Sequence, residues 1–211
     1  MNEKLLGKVA QANFEDILKS KGYSYFERGS YNLNIIGVRA GRKNNENKNT
    51  FDDFLVVEYK DDEGDWKRYI HPLTTVPGLH YMNNPSAKKG VAILKPGQYR
   101  SIWKLDLHNG KYRALCQRGN GCIVYRDGNK DNLLDLDEAT TEYGYFGINY
   151  HKAGVNSQVV GANSAGCQVS QKVSDFDYVM KLAEKASKIY GNSFTYTLIE
   201  EKDLKPCHIV E

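Results

Sequence analysis

Short runs in which apolar and polar positions alternate dominate the first two thirds of the chain. Tyr31 to Val38, Phe54 to Tyr59, Trp66 to Ile70, Tyr99 to Leu107 and Tyr112 to Cys116 are rich in β-branched and aromatic residues and are separated by Gly, Asn and Asp clusters, so each predicts a strand. Asn109-Gly110 lies between the last two, and this pair readily takes the two positive φ angles of a tight hairpin turn. Two segments switch to a helical period. Phe14, Ile17 and Leu18 share one face of a short N-terminal helix closed by Gly22, while Phe176, Val179, Met180, Ala183, Ala186 and Ile189 mark a longer C-terminal amphipathic helix. Ser174 or Asp175 is the expected N-cap of the latter, with Gly191 just past its end. Ser193 to Ile199 alternates again and predicts a final strand. Gly41 to Thr50, Asn-rich and without an apolar anchor, predicts a solvated, mobile loop. No internal repeat and no dividing linker is evident, so residues 1–211 read as a single domain of mostly β (α+β) class, with 1–30 as a helical lead-in.

Composition narrows the function classes. With 211 residues, 40% of them apolar, the chain can bury a sizeable core, and it resembles neither a disordered nor a collagenous sequence. The formal net charge of +3 is spread along the chain, with no basic stripe and no Gly-rich phosphate loop, which disfavours nucleic acid and nucleotides as partners. The longest apolar stretches, such as Phe54 to Val57 and Ala92 to Leu94, are far too short for a membrane span. Met1 to Phe14 lacks the apolar core of a signal peptide, so synthesis without export, in a cytoplasm, is expected.

The chemistry sits in the last third. A thiol is a strong nucleophile only as thiolate, so a catalytic cysteine requires a nearby base. Gly147 to Gln168 reads GINYHKAGVNSQVVGANSAGCQ: a β-type run ending in His151, a loop, then Ser164-Ala165-Gly166-Cys167, with sulfur and imidazole 16 positions apart. Gly166 permits a tight bend beside the thiol, and the N–H groups flanking Cys167 are natural donors to an oxyanion. A base beside it predicts that Cys167 titrates below the other cysteines, Cys116, Cys122 and Cys207, none of which forms a C-x-x-C pair.

This segment resembles the catalytic motif of the L,D-transpeptidase family, a histidine followed by a variable loop and Ser/Thr-x-Gly-Cys; the matching residues are His151, Ser164, Gly166 and Cys167. The likeness extends to the run entering the histidine (Phe146-Gly147-Ile148) and to Asp175 and Leu182 after the cysteine, and residues 142–200 carry it. Ala165 and Val169 stand where the family has His and Arg, which leaves Lys152, Arg113 and Arg118 as candidate cations for a substrate carboxylate. The wording around the motif is similar to bacteriophage-encoded members. The resemblance implies an L,D-transpeptidase-like β-sandwich or open barrel, and a cysteine peptidase or transpeptidase acting on peptidoglycan stem peptides through a thioester at Cys167. It implies a place in phage lysis or cell-wall entry, at the bacterial wall or within the virion, with no cofactor needed for the chemistry. Ser164 would orient the histidine or complete the loop. The alternative is a non-catalytic phage structural or cell-wall-binding protein on the same scaffold.

Asp127 to Glu138 (DGNKDNLLDLDE) places Asp127, Asn129, Asp131, Asp135 and Glu138 at the ligand spacing of a calcium loop, with Asn132 where glycine is usual. Such an ion would be structural. The same spacing also suits a metal-free Asp/Asn-rich turn between strands. His71, His80 and His108 lack partners at metal-ligand spacing and read as structural or exposed, with His80, in the long polar HPLTTVPGLHYMNNP segment, the one placed to approach a cleft. Cys207-His208 reads as tail.

Overall fold

The computed structural model describes residues 2–204. Eleven strands are defined among them, in chain order β1 (Asn34–Arg39), β2 (Asp53–Lys60), β3 (Trp66–Thr74), β4 (Val91–Leu94), β5 (Gly97–His108), β6 (Tyr112–Gln117), β7 (Cys122–Asp127), β8 (Glu142–Gly144), β9 (Tyr150–Lys152), β10 (Gln168–Ser170) and β11 (Phe194–Glu200). Eight of them close into a barrel in the order β1-β11-β5-β6-β9-β10-β3-β2, and β4-β7-β8 form a separate three-stranded sheet. The expectation of a sandwich or open barrel is therefore corrected. β11 lies parallel to β1 with Ile35 opposite Tyr196, and this pairing shuts a ring that alternation along single strands could not reveal.

β1 shows why its run is apolar on both faces. Ile35 belongs to the cluster that includes Leu55, Val57, Trp103 and Tyr196, whereas Ile36 and Val38 pack under the N-terminal helices. Those helices are α1 (Glu3–Gln11) and α2 (Phe14–Ser20), each started by an Asn side chain that accepts a backbone N–H, Asn2 from Leu5 and Asn13 from Asp16. Only the second was expected; Leu5 and Val9, four apart, supply the buried stripe of the first. The polar segment after β3 contains a one-turn helix, α3 (Leu79–Asn83), which buries Met82. The C-terminal helix, α4 (Val173–Tyr190), begins earlier than expected: Lys172 occupies the cap position, and Ser174 and Asp175 lie in the first turn. Asp175 instead accepts a hydrogen bond from Tyr69 of β3 (2.8 Å). Gly191 ends the helix at φ 83° as its position predicted.

Two features fix the part of the barrel that carries the cysteine motif. The hairpin at Asn109-Gly110 forms with positive φ at both residues, 51° and 70°, and places His108 at the end of β5. Inside the barrel, Ser170 of β10 donates to the Tyr150 hydroxyl (2.7 Å) and lies 2.8 Å from His71 Nε2, tying β3, β9 and β10 together. His71 is thus structural. Among the described residues no helix is long and apolar enough to cross a membrane.

Candidate active site

β9 and β10 run side by side in parallel, with Val169 opposite His151, so Cys167 arrives at the mouth of β10 close to the strand bearing the histidine. Both side chains line one cleft of about 600 Å³, walled also by Tyr81, His108, Asn149 and Ala165. The bend before the cysteine is built as the Ser-x-Gly-Cys order suggested. Gly166 has φ +126°, and a Cβ there would stand 2.1 Å from the Ala92 carbonyl oxygen, so both backbone angle and space demand glycine. Buried Ser164 closes the turn on itself: its hydroxyl donates to the Cys167 carbonyl (2.9 Å) and accepts from the Gly166 N–H (3.1 Å). It completes the loop and does not touch His151. The Gly166 N–H is therefore occupied, and the Gln168 N–H donates to the Asn149 carbonyl (2.9 Å), so neither neighbour of Cys167 is free to donate to an oxyanion as expected.

Distant asparagines hold the loop between the two catalytic candidates. Asn49 Oδ1 accepts from the N–H groups of Leu79 (3.1 Å) and Gly161 (2.8 Å), and Asn49's carbonyl accepts from Val160. Asn47 is buried and donates to the Pro77 carbonyl (2.7 Å). The 41–50 segment is largely exposed, as its composition suggested, yet it also clamps two other loops, because its Asn47 and Asn49 side chains act as backbone surrogates. Gly78 donates to the Ser164 carbonyl (2.9 Å) and packs against Gly161 too closely for any side chain.

The half-buried Cys167 thiol donates to the Gly147 carbonyl (3.2 Å). Gly147 is presented by Gln117, whose Oε1 accepts from both Phe146 and Ile148 N–H groups at 3.0 Å, and by Trp103 Nε1, which donates to the Ile148 carbonyl (2.7 Å). The run entering the histidine is accordingly a braced loop, with strand pairing beginning at Tyr150. His151 Nδ1 lies 2.9 Å from the Lys152 carbonyl, which can only accept, so the proton is on Nδ1 and the Nε2 lone pair is free. Sulfur and imidazole share the cleft without a hydrogen bond between them. Burial pushes the thiol up to about 11, partly offset by the Asn149 backbone N–H, and burial pulls His151 down to about 4. The lowered thiol expected from the motif is therefore corrected: no cation sits close enough to oppose desolvation. Cys167 still lies below Cys122, pushed to about 12. Both shifts disfavour a resting thiolate–imidazolium pair.

Among the expected cations, Lys152 and Arg118 line the cleft with Lys111, and none of the lining residues is acidic. Arg118 is paired with Asp106 (2.7 Å), Lys152 lies over the ring of Tyr112 (5.0 Å), and Arg113 lies away beside Glu184. His80 does not reach the cleft; its neighbour Tyr81 does. The residue missed by sequence reasoning is His108, whose ring stacks on His151 at 4.2 Å and 23°. Asn149 was missed with it, since it lies in the loop just before β9, where no strand alternation marks it.

The Asp127–Glu138 segment joins β7 to the 3-10 turn before β8. Glu138 is turned to Lys95, Asp131 accepts from the Leu133 N–H (2.8 Å), and Asn129 bonds Asp131 (3.2 Å), whereas the buried Asp127 Oδ1 has no partner. Among the described residues no group of three or more His, Cys, Asp or Glu is placed to hold a metal ion. Asn132 does adopt positive φ, 64°, as the loop spacing required. Cys116 and Cys122 are buried free thiols, and Cys207-His208 falls outside the described residues. Comparison of the chain with protein-family models, with curated proteins and with solved structures finds no match.

Proposed function

We propose that the chain is a cysteine acyl-transfer enzyme of the L,D-transpeptidase type, acting on peptidoglycan stem peptides in phage lysis or cell-wall entry. The observation that carries the reading is the shared cleft: a half-buried thiol on a glycine-dependent bend faces the same space as an imidazole with its Nε2 lone pair free. Rotation of the thiol from Gly147 toward Nε2 would bring base and nucleophile together, since such contacts often tighten only with substrate bound. The proton then passes from sulfur to Nε2 as sulfur attacks the peptide carbonyl, in one concerted movement, because the separated ion pair is so disfavoured. The N–H of Cys167 itself is the donor left for the oxyanion. His151 returns the proton to the departing amine, and the thioester is resolved by water or by a second amine. Lys152, Lys111 and Arg118 supply the positive field that acidic stem peptides require, in place of an Arg at position 169.

The sulfur's bond to a carbonyl rather than to the histidine favours a second reading, a binding protein that retains the scaffold without turnover. Incubation of purified muropeptides with the wild type and with Cys167→Ala separates the two. Stem products seen by mass spectrometry with the wild type alone support the enzyme; unaltered muropeptides that nevertheless co-sediment with both proteins support the binding role.

A further inference from the structure

His108 comes from the end of β5, Asn149 and His151 from β9 and its approach, and the three meet at the cleft. Asn149 Oδ1 accepts the Gln117 N–H (2.8 Å), which fixes the orientation of the amide. Its Nδ2 must then donate to His108 Nδ1, 3.1 Å away. The His108 proton is thereby confined to Nε2, so the exposed Asn109 amide, whose Nδ2 lies 3.2 Å away, must turn over to accept it through Oδ1. The ring so oriented lies flat against His151 and tilted against Tyr112, at 5.6 Å and 48°. His151 has one hydrogen bond, to the Lys152 carbonyl, and the stacked His108 ring lies against one of its faces.

We propose that His108 is a positioning residue for His151: locked by Asn149, its ring fixes the plane of the second imidazole and covers one of its faces against water. The proposal rests on the acyl-transfer reading. The charged and titratable groups around the pair are Lys111 on the β5–β6 turn, Tyr112 and Arg118 from β6 and the residue after it, Lys152 on β9, and Cys167 before β10. Tyr81 lines the same cleft, and the charged lining groups are all cations, with Arg118 paired to Asp106 (2.7 Å). Burial, with Arg118 and Lys111, lowers the proton affinity of His108, and the Asn149 donor opposes protonation at Nδ1. A neutral aromatic face is therefore what His151 meets when it takes up the thiol proton, and such a face attracts a cation. Were His108 itself charged, it would repel that proton.

The test is a histidine-selective NMR titration of the full chain, with His108→Phe and His108→Ala compared with the wild type. Phenylalanine keeps a flat neutral ring; alanine opens the face. The expected result is a His151 midpoint in His108→Ala raised by about one pH unit or more, as water reaches the ring, with His108→Phe close to the wild type. With muropeptides, the acid limb of kcat should move in His108→Ala and remain in place in His108→Phe, with kcat falling more than KM rises. A His151 midpoint and ring shifts unchanged in His108→Ala would overturn the proposal. Thermal unfolding of His108→Phe reports whether the fold is retained. Because the NMR measurement needs no turnover, absence of activity in every protein would refute the enzymatic reading and leave the positioning contact measured on its own.

Discussion

Replacing Gly166 by alanine tests the construction of the bend at the thiol. Two effects add there. A non-glycine residue forced to φ +126° costs about 1–3 kcal/mol. The new methyl would also stand 2.1 Å from the Ala92 oxygen, whose strand is fixed by the pairing of Ala92 with Arg126, and overpacking of this kind costs about 1–3 kcal/mol. Gly64 separates the two effects, since it has φ +87° with nothing within 4 Å of a built Cβ. Gly64→Ala should cost about 1–2 kcal/mol, and Gly166→Ala roughly 2–6 kcal/mol. At about 2–4 °C per kcal/mol for a domain of this size, Gly166→Ala should lower Tm by about 10 °C and Gly64→Ala by only a few degrees. Calorimetry of the three proteins, with urea midpoints as a check, reads the difference. Equal losses for the two variants would refute the claim that the approach to Ala92 dictates glycine.

Further outcomes follow from the buried titrating groups. Alkylation of the native protein should modify Cys167 alone among the three described cysteines, with a rate that keeps rising toward about pH 11; a plateau near neutrality, read by peptide mass spectrometry, would mean that an ion pair exists at rest. Asp127 is fully buried with Oδ1 unpartnered, and burial raises it to about 6. The folded state then holds its proton more tightly than the unfolded state does, so stability is lost as pH rises from about 4 through 6. At pH 8 the neutral Asp127→Asn should consequently be more stable by up to roughly 3 kcal/mol, a gain that vanishes near pH 4; the same urea midpoint at both pH values in both proteins would refute it.

The local elements were largely legible in the sequence because they depend on near neighbours. The hairpin at Asn109-Gly110, the C-terminal helix and the order of the longer strands all follow from turn chemistry and period. Closure of the barrel was not legible, since β1 shows only that both of its faces are buried and not that its free edge waits for β11. The same limit governs the cleft. Ser164, Gly166 and Cys167 form a local turn whose logic can be read directly, whereas His108 becomes interesting only when β5, β6 and β9 are laid edge to edge. The 41–50 segment is exposed as composition suggested, but composition could not show that Asn47 and Asn49 use their amides as fasteners. The thiol's proton affinity was misjudged for a related reason, because a histidine nearby in sequence says nothing about how dry the sulfur is.

The seam between β1 and β11 also shapes how the chain must assemble. A ribosome delivers β1 long before its parallel neighbour, so that edge of β1 has no permanent partner until β11 has been made. β5, the other neighbour of β11, waits for the same strand from the moment it is made. Two open edges on one nascent sheet invite pairing with another copy. Shortening the chain before Phe194 would make that transient hazard permanent, turning a self-contained ring into a sheet that seeks company.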